Sequence, residues 1–269
     1  MPWFLRGLRE GVVTTHYPKR PDPYGDGFPA AMSVRTGHHH LTPAEAAALC
    51  PTGAISADES TGVRLDRGRC VLCGRCAGQR PDIFEQAHGS QTAVVGRTSL
   101  IVPELPEDDA TLDTLRTALA ARTALFRRSL HIRHVDAGSD GSEEWEILAL
   151  TNPVYDIHRL GLFFTASPRH ADVLLVTGAG TRGMAAALRR TRAATPEPVV
   201  VIAAGTDACS GGLFADTYAT HGGVGDLLDV DIWVPGAPPS PFSLLHALLL
   251  ATGRLLAPGN SPREPEGSA

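Results

Sequence analysis

The chain has little of what would place it across a membrane, on nucleic acid or among disulfide-stapled proteins. Its 269 residues carry a net charge of −5 and a pI near 6.1. The overall electrostatics therefore gives no case for nucleic acid or an anionic membrane. No stretch reaches the roughly eighteen uncharged apolar residues that a membrane span needs. The nearest, Leu244 to Ala257, is broken by His246, Gly253 and Arg254. Met1 to Arg20 lacks the apolar core and small-residue cleavage site of an export signal, so a soluble cytoplasmic protein is the default expectation. Cysteines number only five, and four of them fall within 27 positions. An odd count, tight clustering and no export signal argue against a disulfide framework and favour metal ligation.

What is present suggests two units. Trp3 to Val13 has the pattern of a short helix, which Pro18 to Pro29 cannot continue. Residues 41–100 read as a small domain of turns, short strands and short helices, so residues 1–100 form a first unit with an N-terminal arm. Residues 101–128 read as a linker and a helix: Pro103, Pro106 and the acidic run Glu107-Asp-Asp109 make a helix start, and Leu112, Leu115, Leu119 and Phe126 repeat at helical spacing. From residue 129 to 257 the pattern is α/β. Strands are expected at His131–Val135, Asp172–Thr177, Pro198–Ala204 and Asp229–Val234, and helices at Trp145–Leu150, Met184–Ala194 and Ser243–Leu255. The valine- and leucine-rich continuous runs are those of buried parallel strands. Residues 258–269 read as a disordered tail.

The cysteines carry the chemistry. Cys70-Val-Leu-Cys73-Gly-Arg-Cys76 is C-x2-C-x2-C, and Cys50-Pro-Thr-Gly-Ala-Ile stands twenty positions before it. In two-cluster bacterial ferredoxins each C-x2-C-x2-C run is completed by the last cysteine of the other run, which precedes a proline. By that rule Cys50, Cys70, Cys73 and Cys76 are a complete ligand set for one 4Fe–4S cluster. The second set is absent as a block: its positions are Leu41, Ala44, Ala47 and Arg80. A zinc site on the same four thiolates and an unmetallated relic are the alternatives.

On these residues, with Asp66-x3-Cys70 and Gly11-Val-Val-Thr-Thr-x-Tyr-Pro18, residues 1–100 resemble the ferredoxin-like 23-kilodalton subunit of complex I and its relatives in formate hydrogenlyase and membrane-bound hydrogenases. Residues 129–257 resemble the 20-kilodalton subunit of complex I, related to the small subunit of nickel–iron hydrogenases. That likeness rests on Arg128-Ser-Leu-His-Ile-Arg-His-Val-Asp-Ala-Gly-Ser139, Ser167-Pro-Arg-His-Ala-Asp-Val-Leu-Leu-Val-Thr-Gly178, Gly211-Gly-Leu-Phe214 and Pro235-Gly-x-Pro-Pro239. It implies a flavodoxin-like α/β domain with a mainly parallel sheet after a small ferredoxin-like α+β domain. It also implies a terminal cluster whose four cysteine positions here hold Asp140, Glu143, Asp207 and Ala237, so that this half binds no cubane. If the fold is kept, the three carboxylates converge on one pocket, either as a hard-oxygen site for magnesium, calcium or manganese or as solvated groups. Arg169 and His170 are expected to pack near that pocket or to form a structural turn. Cys209 is expected to be a small buried thiol.

Gly178-Ala-Gly-Thr-Arg-Gly183 matches a dinucleotide fingerprint between strand and helix, although the resemblance places a nucleotide-free Thr-Gly turn there. His38-His39-His40 reads as a solvated loop or a stray divalent-metal site. The expected function is an electron-transfer subunit with one 4Fe–4S cluster, part of an oxidoreductase complex of the NADH-quinone oxidoreductase or group 4 hydrogenase type rather than an enzyme by itself. The alternatives are a structural or docking subunit whose cluster is a folding staple, and a nucleotide-binding oxidoreductase. The implied partners are the large subunit of such an assembly and other redox subunits, with no nucleic acid and only indirect membrane contact, at the inner face of the membrane.

Overall fold

The computed structural model describes residues 2–20, 27–58, 62–103, 109–126 and 129–255. The expected tail after residue 258, and Pro106 with Glu107 and Asp108 of the expected helix start, lie outside them. Helix α1 (Trp3–Glu10) is followed by an extended arm. A small α+β unit then runs through β1 (Pro29–Val34), α2 (Pro43–Leu49), β2 (Ile55–Asp58), β3 (Gly62–Asp66), α3 (Arg75–Gln79), β4 (Phe84–His88) and β5 (Ile101–Val102). Strands β1 and β4 pair antiparallel, and β2, β3 and β5 form a separate antiparallel sheet. Met32, Leu49, Ile55, Leu65, Ile83 and Phe84 close its core.

The larger unit follows: α4 (Asp109–Thr123), β6 (Leu130–Asp136), α5 (Ser142–Ala149), β7 (Leu162–Phe164), β8 (Val173–Thr177), α6 (Arg182–Ala194), β9 (Val200–Ala204), α7 (Thr206–Ser210), β10 (Ile232–Val234) and α8 (Pro241–Ala251). Its five strands are all parallel, in the order β10-β9-β8-β6-β7. Counted from β6 this is 2-1-3-4-5, the flavodoxin order, whose switch point lies between the first and third strands. The expected α/β layer is thus present. In the continuous runs of β8 and β9 every residue is buried. Val173, Leu175, Val200 and Ile202 face one core with α8, while Leu174, Val176, Val201 and Ala203 face another with α6 and Trp233. Parallel strands covered on both faces need apolar residues at every position.

Helix α8 is buried on nearly all sides, which accounts for the longest apolar run without a membrane. Among the described residues no helix is long and apolar enough to cross one. Truncating Leu248 to alanine would cost about 2–5 kcal/mol.

Residues 101–128 do more than link. Strand β5 joins the small sheet, and Leu119 and Phe126 enter the core around α8. Thr15 and Tyr17, before β1, are also held in place. Thr15 donates its N–H to the carbonyl of Val154, and Arg159 donates to the carbonyls of Thr15 and Tyr17. The Tyr17 hydroxyl meets His246 Nδ1 at 2.9 Å inside the larger core. Several bounds differ from the sequence expectation. Helix α5 begins at Ser142 rather than Trp145, and β10 begins at Ile232 rather than Asp229, because Asp231 caps the sheet by accepting the Val201 N–H and pairing with Arg122. The short strand β7 and helix α7 have no counterpart in the expected elements.

Candidate functional site

All four cysteines of the motif line one pocket, together with Met32, Ile55, Leu65 and the turn residues Pro51, Thr52 and Gly74. Each arrives by a different local device. Cys50 caps the C-terminus of α2 in an extended conformation. Gly53 then takes φ +63°, and the Ala54 N–H turns back onto the Cys50 sulfur at 3.2 Å. Cys70 ends a turn organised by Asp66, whose carboxylate accepts the Gly68 N–H at 2.8 Å and two Arg97 donors at 2.9 and 2.7 Å. Leu72 at φ +54° and Gly74 at φ +70° reverse the chain twice, so that α3 starts with Cys76 in its first turn.

The electrostatics fits a cationic occupant. Burial, opposed by the Leu72 N–H and reinforced by the neighbouring Cys76, Cys50 and Cys73, pushes the Cys70 thiol up to about 12. Burial also raises Cys76, opposed by a hydrogen bond from the Ala77 backbone. Thiolates crowded in one pocket, Cys70 and Cys76 buried and Cys73 exposed, repel each other unless metal charge compensates them. Backbone N–H groups already point at three of the sulfurs, the kind of concavity in which Fe–S sites are found. Yet no three or more His, Cys, Asp or Glu side chains among the described residues are close enough to hold a single metal ion. Four thiolates at this spacing are the donor chemistry of a 4Fe–4S cluster, and zinc also accepts four thiolates.

The absent set has a structural counterpart. Ala44 and Ala47 sit on the exposed side of α2, Leu41 is buried before it, and Arg80 pairs with Asp82 at 2.8 Å. Thr42 and Glu45 form a capping box with Pro43 at the helix start. A capped helix stands at positions 43–49. The Thr-Pro-Ala-Glu signature was readable in the sequence and explains the change locally.

The four positions Asp140, Glu143, Asp207 and Ala237 all follow the carboxyl ends of strands, after β6, β9 and β10, which is where open α/β sheets bind ligands. The structure brings them together. Glu143 is buried, and its side chain lies so close over Gly205 that a Cβ there would sit 2.3 Å from Oε1. The Thr206 N–H donates to the carbonyl of Gly236, beside Ala237, at 2.7 Å. Burial, with Asp207 and Asp140 adding to it, pushes the Glu143 carboxyl up to about 7. Burial and then Asp140 raise Asp207, while hydrogen bonds from Ser142 hold Asp140 low. The three carboxylates share a region without meeting at metal-bond distance. Arg169 and His170 do not join them. Both are exposed in a turn that leads into the amino end of β8, at the opposite edge of the sheet.

The glycine-rich loop is spent on packing. A Cβ at Gly178 would lie 2.5 Å from the backbone of Gly138, and one at Gly180 would lie 2.2 Å from the carbonyl oxygen of Gly223. These glycines let neighbouring loops touch at the switch point. His39 bonds the Arg35 carbonyl at 2.9 Å, and His38 and His40 are exposed, as expected of a solvated loop. Cys209 is buried, and burial pushes it up to about 12.

Two residues that sequence reasoning missed join the two regions. Thr206 donates its hydroxyl to the Cys70 carbonyl at 2.9 Å. Arg97, while holding Asp66, lies 5.7 Å from the ring of Trp233, whose backbone pairs with Val94. Nothing in the one-dimensional pattern marks either contact.

The family model described as "NADH ubiquinone oxidoreductase, 20 Kd subunit" matches residues 141–251, so the four clustered cysteines precede the matched segment. Formate hydrogenlyase subunit 7 of Escherichia coli is 36% identical over 147 residues, which is 55% of this chain and 56% of that one. The chain thus spans only about half of that relative. The probable membrane-bound hydrogenase subunit mbhJ of Pyrococcus furiosus is 36% identical over 141 residues, 52% of this chain and 84% of that one. Among solved structures, a chain of the membrane-bound sulfane sulfur reductase, an archaeal respiratory membrane complex, superposes with a TM-score of 0.43 at 25% identity, covering 51% of this chain and 78% of that one.

Proposed function

The chain belongs to the family of the NADH ubiquinone oxidoreductase 20 Kd subunit, and on that premise we propose that it is a one-cluster iron–sulfur subunit of a complex I-like or group 4 hydrogenase-like assembly. In this reading residues 1–100 are a 23-kilodalton-like module fused to the 20-kilodalton-like domain. The observation that carries it is the single pocket lined by Cys50, Cys70, Cys73 and Cys76, set against carboxylates at three of the four family cluster positions.

A 4Fe–4S cluster held there would pass one electron at a time. The chain's own residues do the rest. The four thiolates anchor it, and the N–H groups of Ala54, Leu72 and Ala77 stabilise charge on three sulfurs. Met32, Ile55 and Leu65 keep water from the pocket wall. The carboxyl-end loops of the larger sheet, stripped of thiolates, serve as a docking surface for the large subunit. Asp140 and Asp207, which reach the surface above the buried Glu143, meet basic groups of that partner, since buried interface charges are costly unpaired. A second reading, in which the cluster is a folding staple, is favoured by the bond from Thr206 to Cys70, which ties cluster loop to α/β layer.

The experiment is affinity purification of the tagged chain at native levels, with iron analysis and redox titration of the product. Recovery of a hydrogenase-large-like or complex I 49-kilodalton-like subunit, lost on deletion of residues 129–257, supports the proposal. A lone monomer with full cluster content and no partner would sink the docking role. Reversible reduction by physiological donors separates a relay from a staple.

A further inference from the structure

Helix α1 is an amphipathic element that nothing among the described residues covers. None of its residues is buried. Trp3 is 86% exposed, Leu8 78% and Phe4 51%, and Val12 at 82% continues the apolar surface past the helix end. At 100° per residue, Trp3, Phe4, Leu5, Gly7 and Leu8 share one broad side, and Arg6, Arg9 and Glu10 the other. Hydration of so many large side chains in one short segment is unfavourable, so the helix is built for an occupant.

We propose that α1 lies in the headgroup region of an anionic lipid bilayer, attaching this subunit directly to the membrane surface. Three observations select lipid over protein. The first twenty residues hold four basic groups, Arg6, Arg9, Lys19 and Arg20, against one acidic group, Glu10, in a chain of net charge −5. The segment that exposes apolar side chains is thus the one that attracts anionic headgroups, a local reversal hidden by the overall charge. Second, a Trp-Phe-Leu face with arginines opposite is the composition of interfacial helices, in which the indole ring sits at headgroup depth. Third, α1 is tethered within a few residues of a firm anchor. Thr14 bonds the Pro153 carbonyl at 2.8 Å, Thr15 the Val154 carbonyl at 2.8 Å, and Tyr17 reaches His246. A helix seated in lipid would therefore orient the α/β layer rather than trail from it. This goes beyond the proposed function and stands whether or not the cluster is a relay.

The test uses the full chain, prepared anaerobically, with sedimentation against vesicles of phosphatidylcholine alone and with 30% phosphatidylglycerol. The wild type should pellet with the anionic vesicles, and its tryptophan emission should be quenched by brominated lipid. Arg6→Gln with Arg9→Gln should weaken binding on the order of tenfold, as expected for two basic groups near the surface. Leu8→Glu should abolish it while iron content and melting temperature stay unchanged, since Leu8 is 78% exposed. Absence of binding to either vesicle, or binding indifferent to Leu8→Glu, would overturn the proposal. So would a dimer that Leu8→Glu converts to monomer, which would assign the face to a second copy.

Discussion

The hydroxyl of Thr206 donates to the carbonyl oxygen of Cys70 at 2.9 Å, in a buried bond between positions 136 residues apart in sequence. Thr206 opens the helix that carries Asp207, and Cys70 carries one of the four clustered thiols, so the two regions of interest share an atom-level contact. Replacing Thr206 with valine keeps the shape and strands the carbonyl. A loss of about 1–3 kcal/mol is expected, seen as a lower melting temperature and faster release of iron to a chelator. Unchanged chelation kinetics would mean that the contact does not support the cysteine loop.

Anaerobically prepared protein should hold about four irons and four sulfides per chain, as one four-thiolate set implies. Serine at Cys50, Cys70, Cys73 or Cys76 should cripple assembly, while Cys209→Ser should leave iron content intact. Eight irons, stoichiometric zinc, or bleaching by Cys209→Ser would each contradict the ligand assignment.

Stability should bend with pH at two buried groups of opposite sign. The folded Glu143 carboxyl stands near 7 instead of 4.5, so the native state binds the extra proton between those values. Stability therefore falls as pH rises through that window. Glu143→Gln should raise the melting temperature at pH 8 and do little at pH 4.5. His246, pushed by burial from 6.5 to about 4, works the other way. Stability is lost as pH falls from 6.5 towards 4, because only the unfolded chain accepts that proton readily. Melting temperatures from pH 4 to 9 check both. An equal Glu143→Gln effect at both ends of the range would refute the burial account.

Gly180 has φ +67° and abuts the Gly223 carbonyl. Gly180→Ala should destabilise by at least about 1–3 kcal/mol from the left-handed backbone alone. NADH and NADPH should not shift the melting temperature of the wild type. A shift of several degrees at millimolar dinucleotide would revive the nucleotide reading of Gly178–Gly183.

The sequence by itself determined much of this protein. The valine- and leucine-rich runs before Gly178 and Gly205 announced parallel strands, because a strand covered on both faces has no polar side to show. The cysteine spacing pointed to one complete thiolate set and one absent as a block, and the family resemblance, not the local pattern, singled out the carboxylates at positions 140, 143 and 207. Tertiary structure alone decided the rest. Strand order put the replaced positions at the carboxyl edge of the sheet and sent Arg169 and His170 to the other edge, since a parallel crossover separates neighbours in sequence by the full length of a strand. The glycine fingerprint became loop packing once its partners Gly138 and Gly223 arrived from distant segments. Thr206 on Cys70, and Arg97 between Asp66 and Trp233, join residues with no shared periodicity. Such contacts arise only when two folded surfaces meet, and no local propensity encodes them.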